Sequence, residues 1–182
     1  GYLLDQFLRD SSNNRSDAYG GSIENRTRLL AEVVQAICDE IGAGRTGVRL
    51  SPVTPVYSAH DSAPQLLFGR VVERLNLIGG LAFVHVIEGA TGGPRDNIAF
   101  DYAALRAKFD GAWIANNGYD RTMSERAISS GYADAIAYGR PFIANPDLVR
   151  RLYENAPLAE VDQATMYGGG AKGYTDYPAL PD

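Results

Sequence analysis

The chain has a single cysteine and only two histidines among its 182 residues, and no apolar run approaches the length of a membrane span. Cys38 on its own forms no internal disulfide and supplies no zinc cluster. It falls in an apolar helical register and is read as a small core residue. His60 and His85 have no second His or Cys at ligand spacing, which argues against a metal site. His85, inside an apolar run, is expected to be buried and hydrogen-bonded. Without about 18 consecutive apolar residues there is no transmembrane helix, and the first residues carry no signal-peptide pattern. Positive charge is not in excess either. Seventeen Lys and Arg against 22 Asp and Glu leave a net charge of −5, spread along the chain. That balance argues against a general binder of nucleic acid or anionic membranes, and the simplest compartment is the cytoplasm.

A hydrophobic fraction of 45% is ordinary for a globular domain. Helical and strand signals alternate along the chain. Ser22 is a good helix N-cap, and Leu30, Val33, Val34, Ile37 and Ile41 recur at helical spacing until Gly42 and Gly44. Residues 46–52 form a short strand ended by proline. Residues 65–78 form an amphipathic helix with Leu67, Val71, Val72 and Leu75 on one face. Residues 81–87 are nearly all apolar, as expected of a strand buried on both faces of a parallel sheet. A short helix over 102–109, a strand over 112–115, a helix over 123–130 and a strand over 135–138 follow. Asn145-Pro146-Asp147 opens a last helix through Tyr153.

Four strands separated by helices imply parallel βα units, which fit either a Rossmann-type sheet or part of a TIM barrel. Two features favour the barrel. No G-x-G-x-x-G follows any strand. The strand ends at Asn117-Gly118 and Gly139-Arg140 are consecutive and glycine-bearing, like the phosphate site that barrels build from the loops after strands 7 and 8. A complete barrel needs about 250 residues and eight strands. Four strands alone would leave long apolar edges, so a self-sufficient four-strand domain is the weaker expectation.

Gly1-Tyr2-Leu3-Leu4-Asp5-Gln6-Phe7 and Asp17-Ala18-Tyr19-Gly20-Gly21-Ser22-Ile23-Glu24-Asn25-Arg26 resemble the middle of an old yellow enzyme, the flavin-dependent ene-reductase family. The resemblance runs over nearly the whole chain but covers only the second half of that family's barrel. It implies that residues 1–182 are the C-terminal half of one FMN-binding TIM (β/α)8 barrel, about strands 5–8 plus the C-terminal segment. The N-terminal half would be the partner. Whether the start at Gly1 reflects a split or permuted gene, a cleavage or a trimmed segment stays open.

The resemblance also assigns roles. Tyr2 would be the proton donor to the substrate's α-carbon, apt for a phenol that is neutral at pH 7. Arg49 would lie beside the flavin N1 and C2 carbonyl and stabilise the anionic reduced ring. On residue type alone, Arg49 could equally be a half-buried strand arginine in a salt bridge. Asn117, Gly118, Gly139 and Arg140 resemble the FMN phosphate site, where glycine lets backbone amides approach and the arginine fork holds phosphate. Asn116 and Tyr138 would flank the cofactor. The family often carries glycine or alanine where this chain has Asn116-Asn117. Tyr167 opens a segment resembling the family's C-terminal closure and would line the substrate pocket, with Tyr174 and Tyr177 as packing anchors. The string from Asp17 to Arg26 would have no direct chemistry, and Arg26 or Arg28 would pair with local carboxylates.

The expected activity is that of an FMN enzyme in which NADPH or NADH reduces the flavin. An enone, enal, maleimide or nitroalkene is then reduced in the same pocket. Two other readings remain at this point. One is a flavin-independent phosphate-binding barrel enzyme, for which Lys108 and Lys172 are badly placed as bases. The other is a non-catalytic split or truncated half-barrel.

Overall fold

The computed structural model describes residues 2–55 and 57–181, and the chain divides into two compact units, residues 1–136 and 137–182. The first unit begins with a short helix, α1 (Leu3–Leu8), which has no strong periodicity and is not anticipated by sequence. The long helix expected after Ser22 is broken into α2 (Ile23–Arg26) and α3 (Arg28–Ile41) at Thr27. Thr27 Oγ1 bonds back to the carbonyls of Ile23 and Glu24, the competition with the helix ladder that hydroxyl side chains offer. Ser22 caps α2 as expected, its side chain accepting from the N–H of Asn25.

The βα alternation then runs β1 (Gly47–Leu50), α4 (Pro64–Ile78), β2 (Phe83–Ile87), α5 (Tyr102–Arg106), β3 (Trp113–Asn116), α6 (Arg121–Ser129) and β4 (Ala135–Ala137). The sheet order is β1-β2-β3-β4. The β1–β2 and β2–β3 ladders are parallel, with Arg49 beside His85 and His85 beside Ile114. Each strand lies next to its predecessor, so the winding never reverses. A doubly wound sheet needs such a reversal. Crossovers of one hand therefore place the connecting helices α4, α5 and α6 on the same side.

Burial follows this geometry. Leu50, Val84, Val86, Trp113 and Ala115 are buried on one face, facing the core made with Leu30 and Val34 of α3 and Leu67, Phe68, Val71, Val72 and Leu75 of α4. Fully burying each Val or Leu is worth about 1.5–3 kcal/mol over leaving it exposed. On the other face Gly47, Arg49, Phe83, His85, Ile114 and Asn116 are exposed or half-buried, and Ile87 is buried. The expectation that β2 is buried on both faces is met at Ile87 but not at Phe83 and His85, which are only half-buried. Gly47 is required on the open face because a Cβ there would fall 2.4 Å from the Phe83 ring.

The loop before α4 is tied to the start of the chain. Arg26 bonds Asp61 at 2.5 Å and also the Leu8 carbonyl. Arg28 instead donates to the Ala18 carbonyl and the Asn25 side chain. The expected local carboxylate pairing is therefore replaced, for Arg26, by a buried contact 35 residues away. Glu24 accepts from Arg70 and Arg74, which hold its carboxyl down at about 2.

The second unit holds α7 (Arg140–Ala144), not anticipated by sequence, and α8 (Leu148–Glu154). Buried Arg151 donates to the carbonyls of Pro157 (2.8 Å) and Pro178 (3.1 Å) and pairs with Asp147. Tyr177 accepts from the Asp162 N–H at 2.7 Å, acting as the expected anchor. Tyr174 is 58% exposed and does not act as a packing anchor, because backbone bonds to Ala171 hold that turn instead. Among the described residues no helix is long and apolar enough to cross a membrane.

Replacing Asp61 by Ala would leave Arg26 buried without its carboxylate. The expected cost is about 3 kcal/mol, read as a drop in the urea midpoint, and Asp61→Asn should cost less because it still accepts a hydrogen bond.

Candidate active site

The strand register assembles a polar cluster on the open face of the sheet. Arg49 and His85 are cross-strand neighbours, and Asn116 lies two residues beyond His85's partner Ile114. Arg49 Nη2 donates to Asn116 Oδ1 at 3.4 Å. Arg49 is exposed rather than half-buried, so desolvation gives it no need of a salt bridge; among the described residues no ion pair involves it. His85 Nε2 is buried yet has no hydrogen-bond partner, which corrects the expectation of a hydrogen-bonded histidine. Burial, and then the neighbouring Arg49 charge, push its pKa down to about 4. A guanidinium, a neutral imidazole and a carboxamide stand here with no carboxylate among the strand residues of this face. That donor set fits an electron-rich or anionic ring such as a flavin.

At the end of β3 the chain turns sharply. Asn117 has φ +98° and Gly118 φ +65°, a left-handed pair that only glycine and a few residues such as asparagine tolerate. Asn117 is buried, and its side-chain amide donates to the carbonyls of Glu88 (2.6 Å), Ala90 (2.9 Å) and Gly93 (3.4 Å). Its side chain therefore clamps the loop after β2, and its backbone is what it offers a ligand. A Cβ on Gly118 would meet only the Arg95 side chain, at 3.7 Å.

Behind this turn lies a group that sequence reasoning missed. Glu88 continues the alternation of β2 onto the helix-covered side and is 1% exposed. It accepts from Tyr119 at 2.9 Å and from Tyr132, and pairs with Arg95, whose guanidinium stacks 4.2 Å from the Tyr119 ring centroid. Burial, reinforced by the Glu88 charge, pushes Tyr119 up to about 12. Tyr132 is raised as well, by burial and by its hydrogen bond to Glu88. The signal in the sequence was a glutamate directly after an apolar strand, where an unpaired charge could not stay.

Tyr2 is 86% exposed and stands at the start of α1, its carbonyl accepting from the Gln6 N–H at 2.9 Å. The remaining candidates belong to the second unit. Tyr138 follows β4 and is half-buried, and Gly139 caps α7, where a Cβ would meet nothing within 4 Å. Arg140 is the first residue of α7 and is exposed; Tyr167 is 85% exposed. Lys108, weighed as an alternative base, pairs with Glu73 of α4 at 2.5 Å.

Residues 1–159 match the sequence profile of the NADH:flavin oxidoreductase / NADH oxidase family. The chain belongs to that family. It is 45% identical over 185 residues to 12-oxophytodienoate reductase 1 of Oryza sativa subsp. japonica, covering all of this chain and 49% of that protein. It superposes on the old yellow enzyme from Trypanosoma cruzi with a TM-score of 0.93 at 37% identity, over 100% of this chain and 48% of the other. An old yellow enzyme homologue from Zymomonas mobilis gives the same TM-score at 42% identity, over 99% and 51%. The chain spans about half the length of the curated relatives it matches. Membership makes it part of a flavin-linked oxidoreductase family of old yellow enzyme type, and the singly wound parallel sheet accords with those barrel neighbours.

Because the folded chain keeps His85 neutral, it binds fewer protons than the unfolded chain between the ordinary value of 6.5 and about 4. Stability should therefore fall as pH drops through that window, and His85→Asn should flatten the slope. Urea midpoints at pH 7 and pH 5, with NMR titration of the imidazole, check this; an imidazole titrating near 6.5 would refute it.

Proposed function

We propose that residues 1–182 form the C-terminal half, about strands five to eight and the closing segment, of an FMN-binding TIM barrel. The assembled protein, completed by an N-terminal half, would reduce activated alkenes with NADPH or NADH. The observation that carries this is the open sheet face bearing Arg49, the unpartnered His85 nitrogen and Asn116. A barrel has such an inward face, and its catalytic groups gather at strand C-terminal ends. Coverage of about half of both old yellow enzyme structures compared, over 99–100% of this chain, supports the half-barrel assignment.

Bound FMN would supply the hydride chemistry between nicotinamide and alkene. The chain's residues do the rest. Arg49 would help hold the flavin, and its positive charge would favour the reduced ring. In the first unit Gly118 and the Asn117 backbone would offer phosphate oxygens amides that no side chain screens; in the second unit Gly139 would offer the same and Arg140 its planar fork. Asn116 and Tyr138 flank the cofactor. Tyr2 gives its phenolic proton to the α-carbon of an enone, enal, maleimide or nitroalkene and recovers it from solvent. Tyr167, in the second unit, would be a substrate-lining residue. A flavin-independent barrel enzyme would need a free base at a strand end, and Lys108 is tied to Glu73.

The test is the visible spectrum of this chain combined with its N-terminal half and FMN, followed by single-turnover kinetics. A bound-flavin spectrum is expected, and Tyr2→Phe should slow the alkene step by about 10²-fold or more while keeping the flavin. A mixture that binds no FMN would defeat the proposal and leave a non-catalytic half-barrel.

A further inference from the structure

The buried guanidinium of Arg9 joins the helix that carries Tyr2 to the strand that carries Arg49. It is 2% exposed. Its Nη1 donates to the Pro52 carbonyl at 2.7 Å, its Nη2 to the Ser51 carbonyl at 2.6 Å and its Nε to Asp5 Oδ1 at 2.9 Å. Ser51 and Pro52 directly follow β1, whose Arg49 lies two residues back. Asp5 is in the first turn of α1, which Tyr2 closes with its carbonyl. The plane lies 4.8 Å from the ring centroid of Phe68 on α4. Burying an arginine is costly, and an apolar side chain would hold the helix in place as well. What a planar fork adds is direction, because its donors meet two carbonyls and one carboxylate only in one orientation.

We infer that Arg9 is a positioning residue that sets α1, and so Tyr2, against the C-terminal end of β1. This rests on the reading of Tyr2 as proton donor. A misplacement of about 1 Å can cost on the order of 10²-fold in rate, so a partial loss of this alignment should be measurable without unfolding.

Arg9→Lys keeps the charge and loses the fork; Asp5→Asn keeps the fork and weakens one of its three anchors. In the flavin-loaded assembly, Arg9→Lys should slow alkene reduction about tenfold, a part of that penalty, while flavin reduction by NADPH or NADH and bound-flavin absorbance hold and the assembly stays folded at the assay temperature. Asp5→Asn should show the same split more weakly. If Arg9 acts through Tyr2, the double variant Arg9→Lys/Tyr2→Phe should be no slower than Tyr2→Phe alone. Unchanged alkene reduction in Arg9→Lys overturns the inference. So does a loss of both half-reactions together with flavin, which would mark a structural role only, and so does full additivity in the double variant. If Tyr2→Phe by itself leaves alkene reduction unchanged, the proton-donor reading fails first and takes the role of Arg9 with it, an outcome distinct from the other three.

Discussion

Everything in the first unit depends on the unreversed winding of its parallel sheet. Because β1, β2, β3 and β4 lie side by side in chain order, right-handed crossovers leave the connecting helices α4, α5 and α6 on one face. That face takes the apolar alternation of Leu50, Val84, Val86, Trp113 and Ala115. The residues between them, Arg49, His85 and Asn116, are thereby sent to the open side. Core and site are two parities of the same strands, and a slip of one residue in register would exchange them.

The turns at the strand ends are held from behind. Asn117 adopts an uncommon backbone conformation and uses its amide to gather three carbonyls of the loop after β2. Glu88, Arg95, Tyr119 and Tyr132 form a buried network on the helix side of the same turn. Such networks are strong when complete and costly when broken, so these groups rigidify the loop that presents Gly118. Arg9 and the Arg26–Asp61 pair play the corresponding part for the start of the chain. In each case buried charge is used where orientation matters, which apolar packing cannot specify.

The long amphipathic helices α3 and α4 and the apolar strands β2 and β3 were legible because burial of one face imposes a period on the sequence. Ser22 as a cap and Cys38 as a core residue were legible for equally local reasons. The short helices α1 and α7 were not, since neither segment carries a periodic apolar face that separates it from loop. The break at Thr27 depends on a hydroxyl choosing between two carbonyls. Arg9, Glu88 and Asp61 looked like ordinary charges because their partners lie elsewhere in the chain. Arg49 could be marked as a charge within a strand, yet the side it faces is a property of the register.

By itself the sequence determined the alternation of strands and helices, the apolar faces that must be covered, and the motifs that carry the family resemblance. These are set by local spacing and residue type. Tertiary structure decided which strand lies beside which, that the connecting helices cover one sheet face, that Arg49, His85 and Asn116 meet, and that Arg9 and Glu88 are buried. Those outcomes follow from pairings between distant segments, whose free energy exists only once the chain has brought them together.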